Sequence, residues 1–143
     1  MLTRRGFGKG VGGGFAGCAI CAAVGLVASG GEAGAQPAQT SGVTRTVLQT
    51  TDFDGTRVTV LVSAEIAAGA AVARHTHPGV EATYVVEGGF DLAVQGQADR
   101  RVQAGEGFVI PADTPHAVRN GDRPTKLAST YVVEKGKPLA SPA

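Results

Sequence analysis

Three histidines occur in the chain, and their spacing points to one kind of chemistry. His75 and His77 stand two apart, so on an extended backbone both side chains project to the same side. Glu81 follows four residues after His77, across Pro78-Gly79, a dipeptide that can turn the chain and bring a carboxylate back to the same place. His116 lies further on, inside Pro111-Ala112-Asp113-Thr114-Pro115-His116. Neutral imidazoles with one carboxylate form a borderline-hard donor set. It suits Fe, Mn, Ni, Cu or Zn better than Ca or Mg, which prefer oxygen alone. An isolated His is more often a surface or hydrogen-bonded core residue, and H-x-H arises by chance. Ligand types alone therefore leave the metal reading and the structural reading both open.

The elements that would hold these residues read as strands. Arg57–Val62 is a run of β-branched and apolar residues, with Thr44–Gln49 a weaker one before it. Glu81–Glu87 and Phe90–Gln95 flank Gly88-Gly89, a short-range hairpin signal. Phe90, Leu92 and Val94 alternate with polar or small residues, the period of a half-buried strand. Arg100–Gln103, Gly107–Ile110, His116–Arg119 and Leu127–Glu134 complete the set. No window carries a 3.6-residue apolar period long enough for a helix. Many short strands with frequent turn signals predict an all-β sandwich or barrel of antiparallel strands.

At this point the chain resembles a known family. Gly69, five residues, His75-Thr76-His77, three residues, Glu81, six residues and Gly88 resemble the first motif of the cupins at every defining position. Gly105, Pro111, His116 and Asn120 resemble the second. Asp113 departs from it, standing where the family usually has Gly. A Gly there implies a turn with φ > 0, which Asp tolerates at modest cost, so the departure touches the turn and no ligand.

The resemblance implies a single-domain, all-β double-stranded β-helix, or jelly-roll barrel. It implies one divalent transition metal held inside by the residues matching His75, His77, Glu81 and His116, with Glu81 a ligand or a general base. Two functions fit: a metal-dependent dioxygenase acting on a small chelating organic substrate, or a non-catalytic module binding a metal or small ligand. No second acid, base or nucleophile can be placed beside the metal from the sequence. A homodimer is the associated expectation. Gly69, Gly88 and Gly105 read as turn residues, and Asn120 with Gly121-Asp122 as a turn. Tyr84, Phe90, Phe108 and Tyr131 read as core, and Arg74 is expected to face away from the ligands.

The first 35 residues have a different character. Met1-Leu2-Thr3-Arg4-Arg5-Gly6-Phe7 opens basic and an uncharged, Gly-rich stretch follows from Gly10 to Gly31. Ala33-Gly34-Ala35 then offers a small-residue cleavage site. Thr3-Arg4-Arg5-Gly6-Phe7 resembles the twin-arginine export signal of bacteria, so a periplasmic or secreted protein is expected, with no stable membrane insertion after processing. The run is too rich in Gly to persuade as a membrane anchor. Gly8-x-Gly10-x-x-Gly13 and Cys18-x-x-Cys21 fall inside this segment and are discarded with it. The expected organisation is a signal peptide over 1–35, a flexible lead-in over 36–43, the domain over 44–135 and a tail over 136–143. Thirteen basic residues against twelve acidic ones supply no concentrated basic face, which argues against a nucleic-acid partner and leaves a small molecule.

Overall fold

A computed structural model describes residues 38–40 and 42–143. The expected export segment, with its cysteines, lies outside the described residues. The described chain is all strand and turn. Its strands are β1 (Ala38–Thr40), β2 (Val43–Asp52), β3 (Arg57–Ile66), β4 (Ala71–Thr76), β5 (Gly79–Glu87) and β6 (Gly89–Val94). Then follow β7 (Arg100–Gln103), β8 (Gly107–Ile110), β9 (His116–Asn120), β10 (Thr125–Glu134) and β11 (Ser141–Pro142). They form a six-stranded sheet in the order β1-β2-β3-β10-β5-β8 and a five-stranded sheet in the order β11-β4-β9-β6-β7. Pairing is antiparallel throughout. This is the expected double-sheet jelly roll.

Period-two alternation decides which face each sheet buries. On β3, Val58, Val60, Val62, Ala64 and Ile66 point inward while Leu61, Ser63 and Glu65 face outward. The inner apolar residues gather in two clusters. One joins the sheets through Val43, Ile66, Val85, Phe90, Leu92, Val102, Ile110 and their neighbours. The other packs Val58, Val60, Val62, Tyr131 and Val133 under Leu139. Each fully buried aliphatic or aromatic side chain stabilises the fold by about 1.5–3 kcal/mol. Strand register then places polar residues between the clusters. Tyr131 stands opposite both Val60 and Glu81, and Ser129 opposite both Val62 and Thr83, so two neighbouring inward rungs of the larger sheet carry hydroxyls and a carboxylate.

Two expectations change. Gly88-Gly89 is no hairpin turn: β5 pairs with β10 and β8, whereas β6 pairs with β7 and β9 in the other sheet. The dipeptide carries the chain from one sheet to the other. Gly88 has φ +82°, and a Cβ there would lie 2.5 Å from Thr125 Oγ1 and 2.6 Å from Pro124 O, so both backbone conformation and space call for glycine. A crossing of this kind shares the Gly-Gly signal with a two-residue hairpin, and only the wider register separates them. The C-terminal residues also fold onto the barrel. Ser141–Pro142 pairs with Thr76 and His75 on β4, and Leu139 is buried.

Candidate metal centre

The histidines come from the smaller sheet. His75 on β4 is the cross-strand partner of His116 on β9, which in turn pairs with Val94 on β6. A register shift between Val72 and His75 breaks the regular β4–β9 ladder just before the first histidine, and irregular pairing of this kind re-aims side chains. His77 follows at the end of β4. Pro78-Gly79 then takes the chain across to the larger sheet, where Glu81 faces back. The crossing is tight, because a Cβ on Gly79 would stand 2.0 Å from Val132 O. Asp113 N donates to His77 O at 2.9 Å, and Asp113 has φ +54°, the left-handed turn expected at this position. The strands thus bring all four expected residues to one place. The ring centroids of His75 lie 4.9 Å from His77 and 4.2 Å from His116. Glu81 Oε2 is 3.0 Å from His77 Nε2 and 3.3 Å from His116 Nε2.

Each imidazole is held by its other nitrogen. His75 Nδ1 lies 2.8 Å from Ala73 O, His116 Nδ1 lies 2.9 Å from Thr114 O, and His77 Nδ1 faces Leu139 O. Carbonyls only accept, so each Nδ1 is assigned the proton, and each Nε2 of a neutral ring is left with a free lone pair. His77 Nε2 is fully buried and has no hydrogen-bond partner although the Glu81 carboxylate is beside it. Two acceptors therefore face one another in the interior. Leaving them so costs free energy unless a positive charge lies between them.

The donors fit a metal ion. The ligand atoms of His75, His77 and His116 all lie within 4.8 Å of one another. The separations of 3.0 and 3.3 Å from Glu81 Oε2 match two ligands at a right angle or tetrahedral angle on a cation roughly 2.1 Å from each. The three histidines could hold a metal ion, and the Glu81 carboxylate lies beside two of them. Carbonyl-anchored Nδ1–H groups are the supports that fix ring orientation and leave Nε2 for the metal.

Electrostatics agree with a neutral-imidazole site. Burial, with His116 beside it, pushes the His75 imidazole down to about 4. Burial alone would push the Glu81 carboxyl up. His116, His77 and Thr83 outweigh it and hold the group well below the usual carboxylate range when the imidazoles carry a second proton, and a cation would act in the same direction. Thr83 Oγ1 donates to Glu81 Oε1 at 2.7 Å and meets Ser129 Oγ at 2.7 Å, while Tyr131 Oη lies 3.4 Å from the same carboxylate oxygen. Burial, then the Glu81 charge, pushes the Tyr131 phenol far up, so it stays protonated.

Beside the centre lies a cavity of about 40 Å³, with His75, Glu81 and His116 on its wall. Phe90, Phe108 and Tyr131, read from the sequence as core, also line it, whereas Tyr84 is exposed on the outer face. Arg74 is exposed, with Nη2 donating to Gln95 Oε1 at 2.5 Å, away from the histidines as expected. Sequence reasoning missed Thr83, Ser129 and Arg45. Period two from Glu81 marks Thr83 as sharing its face, but Ser129 and Arg45 need the cross-strand register.

Comparison with known proteins agrees with this architecture. The chain is similar to KdgF from a Halomonas species, at 22% identity and a TM-score of 0.59 over 68% of this chain and 86% of that one. It is similar to the polyketide cyclase RemF from Streptomyces resistomycificus, at 22% identity and a TM-score of 0.56 over 73% and 78%. A Lactobacillus farciminis oxalate decarboxylase, solved as a formate complex, matches at 23% identity and a TM-score of 0.57 over 76% of this chain and 33% of that one. No curated protein matches the sequence. The profile of the Cupin domain family matches residues 62–133, half of the chain, a span that includes the three histidines and Glu81. The chain belongs to the cupin family.

Proposed function

We propose that His75, His77, Glu81 and His116 bind one divalent transition metal, Fe, Mn, Ni, Cu or Zn, and that the protein is a metal-dependent oxidoreductase of the dioxygenase type acting on a small chelating substrate. The observation that carries the metal reading is the buried, unpartnered His77 Nε2 facing the Glu81 carboxylate. A bound ion would supply Lewis-acid polarisation of a chelating oxygen. The chain's own residues do the rest. Ala73, Thr114 and Leu139 carbonyls hold the three rings, Thr83 and Tyr131 orient the carboxylate, and the Phe90 and Phe108 side chains keep the cavity wall apolar. Glu81 serves as the fourth ligand or, swung off the ion, as the proton acceptor for a substrate hydroxyl, and no other carboxylate lines the cavity among the described residues.

That same absence of a second acid favours the alternative reading, a non-catalytic module that binds metal or a small ligand. Elemental analysis of protein purified without added metal, followed by oxygen-uptake screening against phenols, diols and keto acids, tests both. Stoichiometric metal with oxygen uptake supports the enzyme. Metal-loaded protein that turns over nothing supports the binding module, and protein that takes up no metal refutes the metal centre and leaves only small-ligand binding.

The protein is further proposed to be exported to the periplasm or beyond by the segment around Arg4-Arg5. Replacing both arginines by lysine is expected to block export without harming the fold. A homodimer is proposed on the exposed Leu61, Val80, Tyr84, Val86 and Val109 of the larger sheet's strands, and light scattering in solution is expected to give the molar mass of two chains.

A further inference from the structure

The three imidazoles are supported in two different ways. His75 and His116 each bond a carbonyl two residues back along their own stretch of chain, Ala73 O and Thr114 O. His77 is held from afar: its Nδ1 faces the carbonyl of Leu139, 62 residues away in the tail. After β10 the chain turns through Gly136, at φ +74°, and crosses to the smaller sheet. There Ser141–Pro142 pairs with Thr76 and His75, and Ala143 N donates to Arg74 O at 3.3 Å. Leu139 drops its side chain into the cluster around Tyr131, whose ring centroid is 4.9 Å from that of His77. One buried leucine and two strand rungs are a modest anchor, of the kind that opens locally while the rest of a barrel stays folded.

That carbonyl decides where the His77 proton sits. A neutral imidazole carries one proton and one free lone pair on its two nitrogens. With Leu139 O in place the proton lies on Nδ1, and Nε2 keeps its lone pair. With Leu139 O withdrawn, the acceptor at hand is Glu81 Oε2, 3.0 Å from Nε2. A proton drawn to Nε2 by that carboxylate occupies the atom a metal needs. Resting on the metal reading above, we infer that Leu139 is a positioning residue for the metal centre and that the tail over 136–143 is its clasp. Docked, the clasp holds His77 in the metal-binding tautomer. Undocked, it frees His77 to donate to Glu81. Tail docking and metal binding are thereby linked, and the factor by which docking raises metal affinity is the factor by which metal tightens docking.

Zn²⁺ titration against a competing chelator, hydrogen exchange of the tail amides and nitrogen-15 NMR of the imidazoles test this. A chain ending at Lys137 is expected to bind Zn²⁺ about 10–100-fold more weakly than the full chain. Zn²⁺ is expected to slow exchange at residues 139–143 of the full chain by a similar factor. In metal-free protein at about pH 8.5, above the ordinary imidazole range, the full chain should show three Nδ1–H rings and the shortened chain two. Leu139→Ala keeps the carbonyl but loosens its anchor. It should fall between the two in Zn²⁺ affinity, and it decides the matter if the shortened chain does not fold. Asn120→Ala lowers stability without touching the tail and should keep the wild-type Zn²⁺ affinity. Full-length protein that binds Zn²⁺ with unchanged tail exchange overturns the inference and leaves the metal centre standing. So does a His77 that keeps its Nδ1–H form in both tail variants, or an Asn120→Ala protein weakened as much as the shortened chain. Full-length protein that takes up no Zn²⁺ overturns the metal reading and this link with it.

Discussion

Two buried polar clusters sit inside one barrel, and they are wired differently. At one end Asn120 Nδ2 lies 2.9, 2.8 and 2.9 Å from the carbonyls of Ile66, Ala67 and Arg123. Its Oδ1 accepts from Thr125 Oγ1 at 2.7 Å, and Thr125 Oγ1 accepts from Gly89 N at 2.9 Å. Every polar atom there has a partner, three carbonyls sharing the two Nδ2 hydrogens. The cluster ties the end of β9 to the end of β3 and to the start of β10, which is a structural task. At the other end, three imidazoles spend their protons on carbonyls and turn their lone pairs towards one another and towards a carboxylate. A saturated cluster needs nothing more. An unsaturated one carries a free-energy cost that a cation would remove, and this difference separates a staple from a site better than burial does.

The comparison is open to attack, first through the metal. His75→Ala with His77→Ala is expected to abolish metal occupancy in elemental analysis while leaving a cooperative melt, because the core is built without the ion. An apoprotein with no transition would mean that the histidine cluster is a staple too.

Asn120→Ala is expected to do the reverse. It strands buried carbonyls and the Thr125 hydroxyl, at a cost of about 2–4 kcal/mol, which thermal melts would read as a drop of about ten degrees or more. Metal content per folded molecule should stay at the wild-type level. Loss of metal with an unchanged melting temperature would reverse the two roles.

Acid should act on one cluster only. The His75 imidazole is pushed down to about 4 in the folded protein, against about 6.5 in the unfolded chain. Between those values the unfolded chain binds the extra proton, so apoprotein stability is full above pH 6.5 and falls as the pH drops towards 4. Denaturant titrations across that window would show the slope, and bound metal should leave over acid pH as the rings protonate. Asn120→Ala apoprotein should keep the same slope, and His75→Ala should flatten it.

The smallest effects concern the residues behind Glu81. Thr83→Val removes a 2.7 Å hydrogen bond to the carboxylate and should weaken metal affinity by about tenfold in competition with a chelator. Tyr131→Phe removes only a 3.4 Å contact and should change affinity by less than about threefold. Equal effects from the two would mean that the carboxylate is oriented by its burial and not by the Thr83 bond.

Much of this was legible before any fold was known, because local spacing carries it. His75 and His77 share a face through the period of an extended chain, Pro78-Gly79 turns it, and Asp113 adopts the left-handed backbone that its position in the motif implies. The β-branched runs of β3, β5 and β10 announced an all-β domain for the same reason. Register was not legible. Whether Gly88-Gly89 closes a hairpin or crosses between sheets depends on Thr125, distant in sequence, whose hydroxyl bonds the Gly89 backbone. That Ser129 meets Thr83, that the carbonyl of Leu139 holds His77, and that Arg45 looks into the cavity are likewise non-local facts. Residue type and short-range periodicity set the ligand chemistry and the strands. Long-range pairing, which sequence spacing does not encode, set which side chains support the ligands and what charge faces them across the cavity.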